Sequence, residues 1–220
     1  MTEDLDALYR ARFDSEALEH KTRIWRVLCR DHFQRYVGLT DTVLDLACGT
    51  GEFINNIQAK KRIGVDLRTD SKALLDLDVR FVQSSATDLV DITSNSVDVV
   101  FTSNFLEHLH SKSDVLTVMA EVMRILRPGG RFLIMGPNIR YVGGAYWDFF
   151  DHHLPLTELS VAEALVSSGF RVEESIARFL PYTTKSNLPQ SPWLVALYLK
   201  LPLAWRILGQ QFFVVGHCRS

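Results

Sequence analysis

Between residues 43 and 135 the chain repeats one unit: a short apolar run, a loop, and a more polar stretch before the next run. The runs are Val43–Ala47, Arg62–Leu67, Val79–Gln83, Val97–Thr102 and Arg131–Met135. Strands this short and this apolar are buried on both faces, which is the condition of a parallel sheet covered by helices. Phe170–Ile176 and Gln211–Val215 are two further strand candidates, which makes a mostly parallel, seven-stranded α/β sheet the expected architecture.

Helices are expected between and around these strands. Trp25, Leu28, Cys29, Phe33 and Tyr36 recur at spacings of three and four, the stripe of a packed helix, and the segment ends at Gly38. A helix is expected from about Glu52. Another carries Val115, Val118, Val122 and Ile125 on one face and is expected to stop at Pro128-Gly129-Gly130, where proline cannot continue it. A further helix is expected from Thr157 to Gly169. The division that results is one domain: a helical cap over 1–40, a ligand-binding core over 41–177, a helical insert over 178–210 and a final strand over 211–220. In the insert Leu194, Leu197, Tyr198 and Leu201 fall on one helical face, flanked by Trp193 and Trp205.

Composition narrows the function classes. The chain has 220 residues, 47% of them hydrophobic and 23% charged, which suits a single globular domain. A net charge of -2 is not the electrostatic footprint of a protein that grips duplex phosphates. Cys29, Cys48 and Cys218 show no CxxC spacing, so neither a zinc site nor a disulfide framework is indicated. The start, MTEDLDALYR, lacks the apolar core of a signal peptide. The densest apolar run, Trp193–Leu208, is interrupted by Lys200, Pro202 and Arg206, so no membrane span is expected. A reduced, cytoplasmic protein is the default expectation.

The chemistry is expected where the first strand meets its loop, because open parallel sheets bind ligands at the carboxyl ends of their strands. Val43–Gly51 reads VLDLACGTG. Gly49 and Gly51 let the backbone turn tightly and approach a ligand. Asp45 is an acid inside an apolar strand, which calls for a partner or a ligand. Asp66 ends the second strand and can accept hydrogen bonds from ribose hydroxyls. A dinucleotide site also uses glycines and a later acid, but its fingerprint is GxGxxG with a pyrophosphate at the helix N-terminus. Here Glu52 follows the loop, and a carboxylate there repels pyrophosphate but suits a cationic sulfonium.

In order and spacing, VLDLACGTG, GVDL (Gly64–Leu67), SSATDL (Ser84–Leu89), VDVVFTSNFLEHL (Val97–Leu109) and LRPGGRFLIMGPN (Leu126–Asn138) resemble the class I S-adenosylmethionine-dependent methyltransferases, over roughly Thr42–Asn138. The resemblance implies a Rossmann-like fold with S-adenosyl-L-methionine as cofactor. It implies that Asp45 and the backbone of Ala47, Gly49 and Gly51 hold the methionine part, and that Asp66 holds the ribose. Leu67 would pack on the adenine, Ala86 would offer it a backbone N–H, and Asn104 would line the transfer site. Two positions depart from the pattern: Ala47 replaces the commonest glycine, and Ser85 stands where many relatives carry an acid for the adenine amino group, a bond that Ser85 or Asp88 would have to make. The flanks YRARFD (Tyr9–Asp14) and DHHLPLTELS (Asp151–Ser160) resemble bacterial relatives associated with glycan or lipid modification.

A hydroxyl acceptor also needs a base near neutral pKa, for which histidine is suited. His152 and His153, with Asp148 and Asp151, follow the fifth strand, and His108 follows the fourth. The same Asp/His cluster is of a kind that also binds a divalent metal, although no ligand spacing in the sequence assigns one. The (N/D)PP(Y/F) motif of nucleic-acid amino-methyltransferases is absent, as is the Pro-Cys of the C5-cytosine enzymes. With the net charge, these absences point to a small-molecule or lipid-linked acceptor, hydrophobic or glycan-linked, rather than to nucleic acid, and an O-methyl product is the favoured expectation. A homodimer, and a cofactor-binding partner protein without turnover, are the other readings. The insert, with Tyr182, Trp193, Tyr198 and Trp205, is expected to close over the acceptor, and Tyr9, Arg12 and Phe13 over the cofactor.

Overall fold

The computed structural model describes residues 15–182 and 191–219. Its centre is one seven-stranded sheet: β1 (Thr42–Leu46), β2 (Lys61–Asp66), β3 (Val79–Gln83), β4 (Val97–Ser103), β5 (Leu126–Pro137), β6 (Arg171–Ile176) and β7 (Gln211–His217). The spatial order is β3-β2-β1-β4-β5-β7-β6. β1 to β5 run parallel to one another, and β7 is antiparallel to both β5 and β6. The order reverses at β1, which has β2 on one side and β4 on the other. The crevice beyond the carboxyl ends of β1 and β4 is therefore the ligand position of such a sheet.

Alternation along each strand builds two cores. Leu44, Val100, Phe132, Ile134, Phe212 and Val214 point to one side. Val43, Phe101, Leu133, Met135, Phe213 and Val215 point to the other. The first side is covered by α2 (Lys112–Ile125) and α4 (Glu158–Ser167), the second by α1 (Ser15–Asp31) and by α5 (Pro192–Leu199) and α6 (Pro202–Leu208) of the insert. A short helix, α3 (Ile139–Val142), follows β5.

α2 is started by Ser111, whose hydroxyl takes the Asp114 N–H while the Asp114 carboxylate takes the Ser111 N–H. Thr157 and Ser160 do the same for α4. Each such cap stabilises its helix by about 1 kcal/mol. α2 ends at Ile125, three residues before Pro128, where the sequence places the stop. Leu126 is already extended because it pairs with Val97 of β4, and the strand runs on through Pro128.

The helix expected from about Glu52 is only a set of turns over 52–56. Residues 52–60 are all that separate Gly51 from β2, and the Ile54 carbonyl is taken by the Arg62 guanidinium at 2.9 Å. Asn55 is held by Leu74 and Asp76 from the far side.

The insert's inward face is Val195, Ala196, Tyr198 and Leu199, packed on Phe179, Phe213 and α1. Leu197 and Leu201 are exposed, so the face shared by Leu194, Leu197, Tyr198 and Leu201 is not the buried one. The chain leaves the helix after Leu199 because Pro202 disfavours helical backbone just before it, which puts Leu201 off α5 altogether. Trp205 donates to the Tyr198 carbonyl and packs on Phe179 and His32. Tyr9, Arg12 and Phe13 lie outside the described residues. Among the described residues no helix is long and apolar enough to cross a membrane.

Candidate active site

The loop after β1 takes its shape from every second residue. Ala47, Gly49 and Gly51 have φ of 59°, 53° and 79°. Glycine adopts that backbone freely, whereas alanine at Ala47 carries a strain of about 1–2 kcal/mol. At Gly51 a Cβ would sit 2.6 Å from Leu75 and 2.8 Å from Asn55, so conformation and space both select glycine. The Cys48 N–H donates to the Val65 carbonyl at 3.0 Å, which ties the loop to β2.

Asp66 completes this tie. One carboxylate oxygen accepts the Gly49 N–H at 2.8 Å, and the other accepts the Arg68 N–H at 2.9 Å. Each oxygen keeps a further lone pair for a ligand. Asp45 lies below the loop, 4% exposed, and burial raises its carboxyl well above the ordinary range, reinforced by Glu52 and Asp66 and opposed by a hydrogen bond from the Ile54 backbone. Glu52 forms an ion pair with Lys21 of α1. Three acids thus lie about the loop, with Lys21 offsetting Glu52 and burial disfavouring the charged form of Asp45.

The residues expected on the adenine side follow β2 and β3. Leu67 is 61% exposed. Ala86 is buried. The Ser85 hydroxyl is turned toward Thr87, with its oxygen 2.8 Å from the Thr87 hydroxyl and accepting the Thr87 N–H at 3.2 Å. Asp88 is exposed. Asn104 ends β4 in left-handed backbone, φ 50°, with its N–H donating to Met135 of β5 at 2.9 Å. Asp45, Ala47, Gly49, Gly51, Asp66, Leu67, Ser85, Ala86 and Asn104 all stand at the carboxyl ends of β1 to β4 or just beyond.

The histidines divide. His108 lies in a turn after β4, Leu106–His108, and His152 in the loop between α3 and α4. Their rings are 5.0 Å apart. His153 is exposed and packs instead against His110, 4.5 Å between ring centres. Glu107 is a residue that the histidine search passes over. It is 3% exposed, its carbonyl accepts the N–H groups of His153 and Leu154 at 2.8 and 3.1 Å, and burial pushes its carboxyl up to about 7. Its signal in the sequence is an acid between Leu106 and His108 in an apolar stretch. Tyr146 and Phe149 pack on His152, and Tyr182, the last described residue before the insert's helices, meets Phe149.

Residues 44–134 match a family model described as a methyltransferase domain. Demethylmenaquinone methyltransferase of Symbiobacterium thermophilum is 29% identical over 140 residues, 56% of this chain and 55% of that protein. A probable S-adenosylmethionine-dependent methyltransferase of Mycolicibacterium smegmatis is 31% identical over 147 residues, 62% and 54% of the two chains. The chain spans about half the length of the curated relatives it matches. A solved S-adenosylmethionine-dependent methyltransferase from Archaeoglobus fulgidus shares the fold, with a TM-score of 0.67 over 93% of this chain and 100% of that one at 20% identity.

Proposed function

The chain carries a methyltransferase domain of the class I S-adenosylmethionine-dependent family, and from that premise we propose that it methylates an oxygen of a small-molecule or lipid- or glycan-linked acceptor. The observation that carries this reading is the clamp of Asp66 on Gly49 at the point where the strand order reverses. That arrangement fits a cofactor with a ribose. Asp45 and the backbone of Ala47, Gly49 and Gly51 would hold its methionine part, Asp66 the ribose, and Leu67, Ser85 and Ala86 the adenine.

When bound, the sulfonium supplies an electrophilic methyl group, so alignment of the acceptor does much of the catalysis. Asn104 would line that position. A hydroxyl acceptor gives up a proton as its oxygen attacks, and the group formed by Glu107, His108 and His152 is where that proton would be drawn off. Tyr146, Phe149 and Tyr182 give the same region an apolar lining, which suits an acceptor with an apolar body.

Calorimetry with S-adenosylhomocysteine tests the cofactor assignment, and absence of binding would sink it. Incubation of the protein and methyl-labelled cofactor with a bacterial extract tests the acceptor class. The label is expected in the small-molecule, lipid or glycan fraction. Label confined to nucleic acid or protein would refute that class.

A further inference from the structure

Glu107, His108 and His152 offer one ligand atom each, and these atoms lie within 4.8 Å of one another. We propose that the three side chains bind a single divalent cation of the zinc type. The donor set is two imidazoles and one carboxylate, which suits zinc, iron, cobalt or manganese better than the all-oxygen cations. Bonds of about 2.0–2.2 Å to a common tetrahedral ion put such atoms roughly 3.3 Å apart. Closing that gap takes small side-chain rotations, His108 being the half-buried member of the three.

The surroundings are those of a ligating histidine. His108 Nδ1 lies 2.9 Å from the Asp151 carbonyl, with the Asp151 carboxylate at 3.4 Å. A carbonyl only accepts, so Nδ1 carries the proton and Nε2 keeps its lone pair. Metal-bound histidines are oriented in this way, by a carbonyl or carboxylate on the other ring nitrogen. The backbone fixes the two segments together, since both His153 and Leu154 donate to the Glu107 carbonyl. Glu107 and His152 are buried, so the cation would balance a carboxylate that the fold otherwise holds out of water.

Three protein ligands leave a coordination position open, as in catalytic rather than structural sites. An oxygen of the acceptor could enter it and be held and acidified there. Only this last step rests on the methyl-transfer reading; cation binding does not.

The test uses the untagged full chain, stripped with a chelator and titrated with Co2+ as the probe. One Co2+ per chain is expected, with visible absorption that Zn2+ abolishes. His108→Ala, His152→Ala and Glu107→Gln should each weaken binding by at least the roughly 10–100-fold that loss of an outer-shell partner brings. His110→Ala should leave it unchanged. No stoichiometric binding, or binding lost with His110→Ala and kept with His108→Ala, overturns the proposal. If His152→Ala fails to fold, the half-exposed His108 decides. Calorimetry with S-adenosylhomocysteine on the metal-free protein keeps the two readings apart: its failure counts against methyl transfer and leaves the cation result standing.

Discussion

Asp66→Ala removes two interactions at once, and the structure separates them. Without cofactor, the carboxylate takes backbone N–H groups from Gly49 and Arg68. Hydrogen bonds to a charged group contribute about 1.5–3 kcal/mol each when no water replaces them. Asp66 is half-buried, so water recovers part of this, and about 2–3 kcal/mol is the expected net loss for the pair. In a domain of this size each kcal/mol moves the melting temperature by about 2–4 °C, so the free variant should melt roughly 4–12 °C lower. The ribose bonds are a second loss of about 1.5–3 kcal/mol, roughly a ten- to hundredfold weaker Kd. At a ligand concentration about 100 times the wild-type Kd, S-adenosylhomocysteine stabilises the wild type by about 2.7 kcal/mol. With Kd raised about a hundredfold, the same concentration stabilises the variant by only about 0.4 kcal/mol. Differential scanning fluorimetry with and without ligand reads both quantities. A variant that melts lower but keeps the full ligand shift supports the clamp and refutes the ribose assignment. One that melts with the wild type refutes the clamp. Asp66→Asn should fall between, because it keeps one acceptor and turns a donor toward the other N–H.

Ala47→Gly should raise the melting temperature slightly or leave it unchanged: relief of the positive φ gains about 1–2 kcal/mol, and the freer unfolded chain returns about 0.4–1. A fall of several degrees in a thermal melt would contradict the strain at this position. Hydrogen exchange should show added protection at residues 5–15 and in the insert when S-adenosylhomocysteine is bound, since α1 already reaches the loop through Lys21 and Glu52; equal exchange in both states would remove the lid. His32 sits among Phe33, Phe179, Trp205 and Phe213, and burial, helped by Arg35, lowers its pKa to about 3 from an ordinary 6.5. Its folded pKa is depressed, so its contribution is present above about pH 6.5 and is lost as pH falls toward 3, at up to about 1.4 kcal/mol per pH unit. Denaturant titrations at pH 7 and pH 4.5 should show a smaller loss in His32→Phe than in the wild type, and parallel losses would show that His32 does not charge on unfolding.

The central strands β1, β4, β5 and β7 could be read from the sequence because each is largely buried on both sides, and such a strand needs apolar residues, whereas the edge strands β3 and β6 are partly exposed. Asp45 stood out for the same reason, as an acid where burial asks for none, and Asp66 by its place at the end of the second strand. The turns after Gly51 could not be read so, because the propensity of GEFINNIQ says nothing of the short distance left before β2 or of Arg62 taking the Ile54 carbonyl. The insert escaped in a different way. Its first helix, Pro192–Leu199, is apolar all round, so no periodicity tells Leu199, which is buried, from Leu197, which is not.

The histidine group marks the point where local reasoning stops. His152 and His153 are neighbours in sequence, of one residue type, and equally good candidates by chemistry. What separates them is the pair of hydrogen bonds from His153 and Leu154 to the Glu107 carbonyl, made between segments more than forty residues apart. That contact turns the His153 ring out toward His110 and leaves the His152 ring facing His108. It also buries Glu107, and so converts an acid that reads as one charge among many into the carboxylate of a three-residue group. The glycine loop is encoded within nine consecutive residues, because a cofactor's backbone contacts can be made by one turn. The histidine group is assembled from a turn after β4 and a loop after β5, and its composition is a property of the sheet order that brings those two ends together.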